Sequence, residues 1–534
     1  MTCAGATDSY LRISPRLLLG ACFVFAANFA VVAVLGSYDV HLGWLHLASH
    51  ECFKPLLYMN AAFVLSCLFS SEPRPAGSDT TNRRLAYFLV TAVALLAHWQ
   101  GLTINFSHHD WNHAHITGAI HSISDVGRLF SKPQGDGFYR PLTFLSLLVD
   151  YRVFGNAPIA YHLHNLVIHI ANAILVGILA NRLGYGPGVS TWAAVLYSCS
   201  SPSFEPVIWP AARFDLLATL FSLLAILSSL EYLRRGGLFL VGAGLSLVAA
   251  LLNKEIGYAV PLIIAALIPW RSKKAIRLLA ILFAICLMMV AVRILVYGGL
   301  GGYPGAGGQA SPNFTLSVKT FTTLFTRLIP LSVAVVNVSF MDSALVRAAL
   351  LLLPLTLVAT CLVASASNRQ RLLIGLVLVS GIPVTNLIGW LGPTALNSRY
   401  LYFPAVWVAI FIPAVLARAR WRTALLIAWV SSFVAMLWID QHVYRTVIDR
   451  IPAAVALVKS DVESAPATTT VEIHDVPLDA LGVFFFRSEL EERLTKALPG
   501  VRVTFVESRE SAAGTLSYSW SPHSNELISR SVPH

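Results

Sequence analysis

The sequence is poor in charge. Asp, Glu, Lys and Arg make up 12% of its 534 residues, against about 25% in an ordinary soluble protein. So few charges cannot solvate the surface of a globule this large, which excludes a soluble enzyme. The charge present is lopsided, 38 Lys and Arg against 27 Asp and Glu. No basic surface interleaved with aromatics accompanies that excess, so nucleic acid is excluded as a partner. The cytoplasmic loops of a membrane protein account for it better. Cysteine is also scarce. The seven are scattered, with no CxxC pair and none after Cys361, which argues against a zinc site or a disulfide framework. No repeat of 20–50 residues is visible. The first apolar run is longer than a signal h-region and lacks a small-residue exit, so no cleavable signal is expected.

What the sequence does have is long apolar runs, 56% hydrophobic overall. Spans are expected at 16–38, 53–70, 85–102, 161–182, 191–207, 212–233, 238–252, 256–270, 276–297, 344–366, 372–390, 400–417 and 425–439. The segment 318–340 is read as re-entrant or interfacial, because counting it as a span would put Arg369 and Arg371 outside. The fold class is an all-α polytopic membrane protein of about thirteen transmembrane helices. Arg12 and Arg16 precede the first span, and Arg182, Arg234, Arg235, Lys273 and Lys274 fall on alternate loops. The positive-inside rule then places the N-terminus in the cytoplasm and the C-terminus outside. Residues 441–534 change character: TTTVEIHDVP, VRVTFVE and GTLSYSW alternate like strands around a charged helical stretch. They are expected to form a small extracytoplasmic α/β domain. Three parts follow: an extra pair of helices and a connector over 1–84, a transmembrane domain over 85–440 and this terminal unit.

One polar interruption stands out, the outer loop 105–158. It contains FSHHDWNHAHI and ends near FYRPL. Asp110 has two readings there, a helix cap and a general base that takes a proton from an acceptor hydroxyl. The histidines 108, 109, 113 and 115 match no strong ligand spacing, so no metal site is assigned. His162, His164 and His169 read as satisfied core or boundary histidines.

Positive residues at the outer boundary break the charge rule. Arg140, Arg213, Lys254 and Arg399 come from four separate segments, and the topology puts all four at one depth. Ionisable groups there are costly unless paired or functional. Together they suit an anionic head group, and phosphate fits bidentate Arg donors. Each also has a local alternative: Lys254 paired with Glu255, Arg213 with Asp215 or Glu205, Arg140 as an ordinary loop charge.

The segments FYRPLTFLSLLVDYRVFGNAPIAYHLHNLVIHIANAIL, PSFEPVIWPAARFDLLATLFSLLAIL, LLNKEIGYAVPL and SRYLYFPAV occur in this order. In this order they resemble integral-membrane glycosyltransferases of the GT-C fold, nearest the protein O-mannosyltransferase-like branch that includes enzymes with tetratricopeptide repeats. The resemblance covers roughly residues 85–440. It implies a polyprenyl-phosphate-linked sugar donor, an inverting transfer outside the membrane, Asp110 as catalytic base, and Arg140, Arg213, Lys254 and Arg399 around the lipid phosphate. His109, His113, His162, Glu255 and Tyr400 are added as lining of the acceptor or donor site. The acceptor is a protein, lipid or glycan. No cofactor is implied, and a divalent cation stays open. A bacterial inner membrane is the expected home.

The family often carries paired acids where this chain has Asp110 followed by Trp111, and the tetratricopeptide repeats are absent. Two other readings therefore stand beside the enzyme: a transporter or flippase of lipid-linked saccharide, and a catalytically inactive scaffold. A transporter should show repeated halves, and none are visible.

Overall fold

The structure is a computed structural model. It describes residues 38–42, 45–49, 83–107, 110, 117–133, 139–269, 272–297, 303–304, 310–311, 322, 328, 367–384, 397–417, 419, 421–464, 470–476, 486–506, 516–521 and 526–530. The spans expected at 16–38, 53–70 and 344–366 and the 318–340 segment lie almost wholly outside these residues, as do His109 and His113. Of the first part, a short antiparallel hairpin is described, β1 (Tyr38–Leu42) and β2 (Leu45–Ser49).

The body is helical. It begins with α1 (Arg83–His98), α2 (Ile123–Ser131), α3 (Pro141–Phe154), α4 (Pro158–Arg182), α5 (Pro187–Ser198), α6 (Phe204–Ile208), α7 (Arg213–Arg235) and α8 (Phe239–Leu251). It continues with α9 (Val260–Leu267), α10 (Lys273–Tyr297), α11 (Asn368–Gly381), α12 (Ala405–Leu416) and α13 (Arg422–Ser464). Three of these start on a proline, α3, α4 and α5, where the missing N–H is no loss and φ is preset. Gly155 and Gly236, both at positive φ, close α3 and α7.

Five described segments are long and apolar enough to cross a membrane: Arg84–Thr103, Pro158–Arg182, Pro210–Arg235, Lys273–Val296 and Arg422–Ser464. With that composition the chain is an integral membrane protein. Large apolar side chains point outward along these helices and α8, such as Leu245 at 66%, Leu287 at 72% and Leu295 at 84% exposure. Hydrocarbon is the solvent that accepts such a surface.

Two expected spans differ in detail. The run 191–207 is not one helix. α5 stops at Ser198, Ser201–Ser203 forms a 3-10 turn and α6 restarts at Phe204. Pro202 removes a donor there, and Ser198 and Ser200 turn their hydroxyls back on carbonyls of the preceding turn. The last span does not end near 439 either. α13 continues to Ser464, and the first strand after it begins at Thr470, within the TTTVEIHDVP stretch read as a strand.

The loop 105–158 is also more ordered than a polar interruption suggests. It holds α2, capped reciprocally by Ser122 and Asp125, and α3. The lead-in to the loop is clamped by α13: Gln441 accepts from Gly101 N at 2.7 Å and donates to Ala97 O. A Cβ at Gly101 would lie 1.9 Å from Ile208 Cδ1, so any larger residue there forces the Ile208 side chain to move.

Beyond α13 a four-stranded sheet forms, in the order β6–β5–β7–β8 of the strands β5 (Thr470–His474), β6 (Arg502–Val506), β7 (Leu516–Ser521) and β8 (Glu526–Arg530). (A two-residue pair, β3 Tyr303–Pro304 and β4 Ala310–Ser311, precedes it.) β5 runs parallel to β6 and β7, and β8 is antiparallel. The helix α14 (Phe486–Ala497) crosses between β5 and β6, as a parallel connection requires.

Candidate functional site

Asp110 is buried, and its carboxylate is gripped by the chain. Oδ2 accepts from Ser107 N at 2.9 Å and Ser107 Oγ at 2.8 Å, while Asp110 N donates to Ser107 O. Asp110 and Ser107 thus close a tight turn on each other, backbone to backbone and carboxylate to serine. Oδ1 accepts from Ala211 N at 2.8 Å. That bond ties the loop to the 3-10 turn Pro210–Ala212, which runs straight into Arg213, Phe214 and Asp215 at the start of α7.

The four cations separate into two groups. Arg213 is fully buried, and its guanidinium makes four hydrogen bonds and one ion pair inside the protein. Its Nε donates to Asn165 Oδ1 at 2.6 Å, Nη1 to Ser146 O and Oγ, and Nη2 to Tyr161 O, and Nη2 forms an ion pair with Asp150 Oδ2 at 2.5 Å. These contacts pin α3, α4 and α7 together around Arg213. The sequence offered Asp215 and Glu205 as its partners; the structure supplies Asp150.

The other three surround two aromatic rings. Arg140 Cζ lies 3.9 Å from the centroid of Phe214, and Lys254 Nζ lies 4.9 Å from both Phe214 and Tyr400. Arg399 Cζ lies 4.7 Å from Tyr400 and 5.0 Å from Trp209. Ring faces this close favour a cation in a dry site. Each of the three also faces a carboxylate. Lys254 donates to Asp215 at 2.5 Å, Arg399 to Glu205 at 3.0 Å, and Arg140 lies 3.9 Å from Glu255. Glu205 holds the whole turn, accepting from Asn397 N, Arg399 N and Arg399 Nη1. Asn397 takes the left-handed conformation at φ 67° to allow it. Tyr400, expected in the site lining, is 2% exposed and its hydroxyl accepts from Arg399 Nη2 at 3.1 Å.

Lys254 sits in the turn between α8 and the 3-10 segment Glu255–Ala259. Burial pushes its pKa down to about 8, with Arg140 and Arg399 acting in the same direction and Asp215 opposing them.

A fifth cation was missed. Arg293 lies inside the apolar helix α10, 4% exposed, and donates to Glu255 Oε1 at 2.7 Å and to Leu251 O. An ionisable residue within a span is itself a signal of function; attention to span ends passed over it. Among the described residues, Arg140, Lys254, Arg293 and Arg399 against Asp215, Glu205 and Glu255 leave one net positive charge.

The histidines do other work. His162 Nε2 donates to Ile104 O at 3.0 Å, and His164 Nδ1 lies 2.7 Å from Asp150. His169 takes a bond from Tyr402 and gives one to Ser198 O. His162 therefore steadies the start of the Asp110 loop. Among the described residues no group of three or more His, Cys, Asp or Glu could hold a metal ion.

No family model matches the chain, and no curated protein matches it. Among solved structures it is similar to ArnT from Cupriavidus metallidurans bound to undecaprenyl phosphate, with 15% identity and a TM-score of 0.35 over 83% of this chain and 94% of that one. The apo form of the same protein gives 16% identity and a TM-score of 0.36 over 82% and 93%.

Proposed function

We propose that this chain is a GT-C-type glycosyltransferase that moves a sugar from a polyprenyl-phosphate-linked donor to an acceptor hydroxyl at the extracytoplasmic face of a membrane. The observation that carries it is the meeting of Arg140, Lys254 and Arg399, from three separate segments, around Phe214 and Tyr400. A buried basic cluster with one net positive charge suits a lipid phosphate. Asp110 is bonded to the turn that delivers Phe214, so base and phosphate cluster share one support.

In the reaction Asp110 takes the proton of the acceptor hydroxyl. The hydroxyl oxygen attacks the anomeric carbon, the bond from that carbon to the phosphate oxygen breaks, and the polyprenyl phosphate leaves with the electron pair. One displacement inverts the anomeric centre. Arg140, Lys254 and Arg399 balance the charge that grows on the leaving phosphate, and Ser107 and the Ala211 N–H aim the carboxylate. The sidedness has its own support. Arg182, Arg234 and Arg235 gather on Glu231 at the far ends of α4 and α7, a helix length from Asp110, as a cytoplasmic rim would.

The test supplies purified protein with labelled polyprenyl-phosphate sugar and membrane or protein acceptors. Asp110→Asn should lose transfer by at least about a hundredfold while still binding the lipid. Equal transfer by both proteins removes Asp110 from the chemistry. Movement of the lipid across a bilayer with no transfer makes the chain a transporter.

A further inference from the structure

Glu255 lies between two guanidinium groups at unequal distances. Arg293 Nη1 is 2.7 Å from Oε1, and Arg140 Nη2 is 3.9 Å from Oε2. Arg293 is fixed on a second side as well, since its Nη2 donates to Leu251 O at 3.2 Å. The turn that carries Glu255 is joined to the start of α3, just after Arg140, by Thr143 Oγ1 donating to Asn253 Oδ1 at 2.8 Å. All of these side chains but the threonine and asparagine are charged, and all are buried.

We infer that Arg293 is a positioning residue that holds Glu255 so that Arg140 is released to the donor phosphate; the inference rests on the phosphate reading above. A buried carboxylate needs a cation, because its desolvation is not otherwise compensated. With Arg293 in place Glu255 has a close, directional partner and keeps it when Arg140 turns away. Without Arg293 the nearest remaining cation is Arg140, which Glu255 would capture in competition with the lipid. The longer of the two distances falls on the residue that stacks on Phe214 beside Lys254, where the phosphate is placed. Arg293 itself acts from inside α10, and no contact between it and the phosphate is needed.

The test measures binding of a polyprenyl monophosphate to the full chain in detergent or nanodiscs, with thermal unfolding recorded for every variant. Wild type binds, and Arg140→Gln weakens binding by about tenfold or more. Arg293→Gln should weaken it by about the same factor, and Arg293→Lys, which keeps the charge, by far less. The deciding variant is Arg293→Gln combined with Glu255→Gln. Once the competing carboxylate is neutral, binding should return to within about threefold of wild type. A double variant that is folded yet as weak as Arg293→Gln alone overturns the inference, as does an Arg293→Gln protein that binds like wild type. If wild type fails to bind, or Arg140→Gln binds equally well, the phosphate reading falls first and this inference with it.

Discussion

Lys254 donates to Asp215 across 39 residues of sequence at 2.5 Å, and neither side chain is more than 2% exposed. The pair joins the turn after α8 to the first turn of α7. It also explains why Arg213 and Asp215, two apart on one helix, do not pair: positions i and i+2 point to different faces. Arg213 turns toward Asp150 and the loop that carries Asp110, while Asp215 turns toward the three-cation cluster. A single helix start thus serves both halves of the proposed site.

The first prediction concerns pH. Lys254 is lowered from the ordinary 10.5 to about 8, chiefly by burial. Its charge is present below that value and lost as pH rises through it. Affinity for a polyprenyl-phosphate sugar, a diester whose charge is constant in this range, should fall about tenfold from pH 7 to pH 9. Stability should move the other way. Between about pH 8 and 10.5 the unfolded chain holds more protons at this lysine than the folded one, so unfolding free energy rises with pH over that window. Lys254→Arg keeps its charge and should flatten the binding profile. A wild-type affinity that does not change between pH 7 and 9 removes Lys254 from the phosphate site.

The second prediction separates stability from binding at Arg399. Glu205→Gln leaves a buried guanidinium without its counter-charge, a loss of about 3–5 kcal/mol in comparable buried pairs. Thermal unfolding should drop sharply, and donor affinity should weaken because the turn 397–401 is released. Adding Arg399→Gln removes the unpaired charge, so much of the stability should return while affinity stays low. Recovery of affinity in the double variant would show that Arg399 does not touch the donor.

Much of this arrangement was legible in the sequence, for identifiable reasons. Arg140, Lys254 and Arg399 were visible as positive charges on the wrong side of a topology set by other positive charges. Their partners were not visible. Sequence proximity suggested Glu255 for Lys254 and Asp215 for Arg213, whereas helix geometry and the chain's return after α8 chose Asp215 and Asp150. Arg213 looked like its three neighbours in depth; only the bonds and the ion pair around its guanidinium mark it as internal. The long apolar runs gave the helical class. They did not show the break at Pro202, a local backbone effect, or the extension of α13 to Ser464, where polar residues such as His442, Arg445, Asp449 and Arg450 hide a continuous helix from a hydropathy count.

The third prediction concerns the terminal sheet and helix. Two side-chain hydrogen bonds tie this unit to the rest of the protein, and the second lands beside the proposed base. Tyr518 Oη donates to Asp461 Oδ2 at 2.8 Å, fixing β7 to the end of α13, and Arg493 Nη2 on α14 donates to Phe106 O at 3.4 Å. Phe106 stacks edge-on against Tyr161 and immediately precedes Ser107, the residue that grips Asp110. The terminal unit therefore reaches the base through one backbone carbonyl rather than through the phosphate cluster, and the two should respond differently to its loss. Arg493→Ala should lower kcat about tenfold or more, on the order of the ~1.5–3 kcal/mol of a hydrogen bond that involves a charged group. Binding of polyprenyl phosphate should stay within about twofold of wild type, since no cation of the cluster is touched. Steady-state kinetics with a direct lipid-binding measurement decide the matter. If kcat is unchanged, the terminal unit does not position Asp110. If lipid binding weakens in step with kcat, the contact acts on the whole membrane body and not on the base.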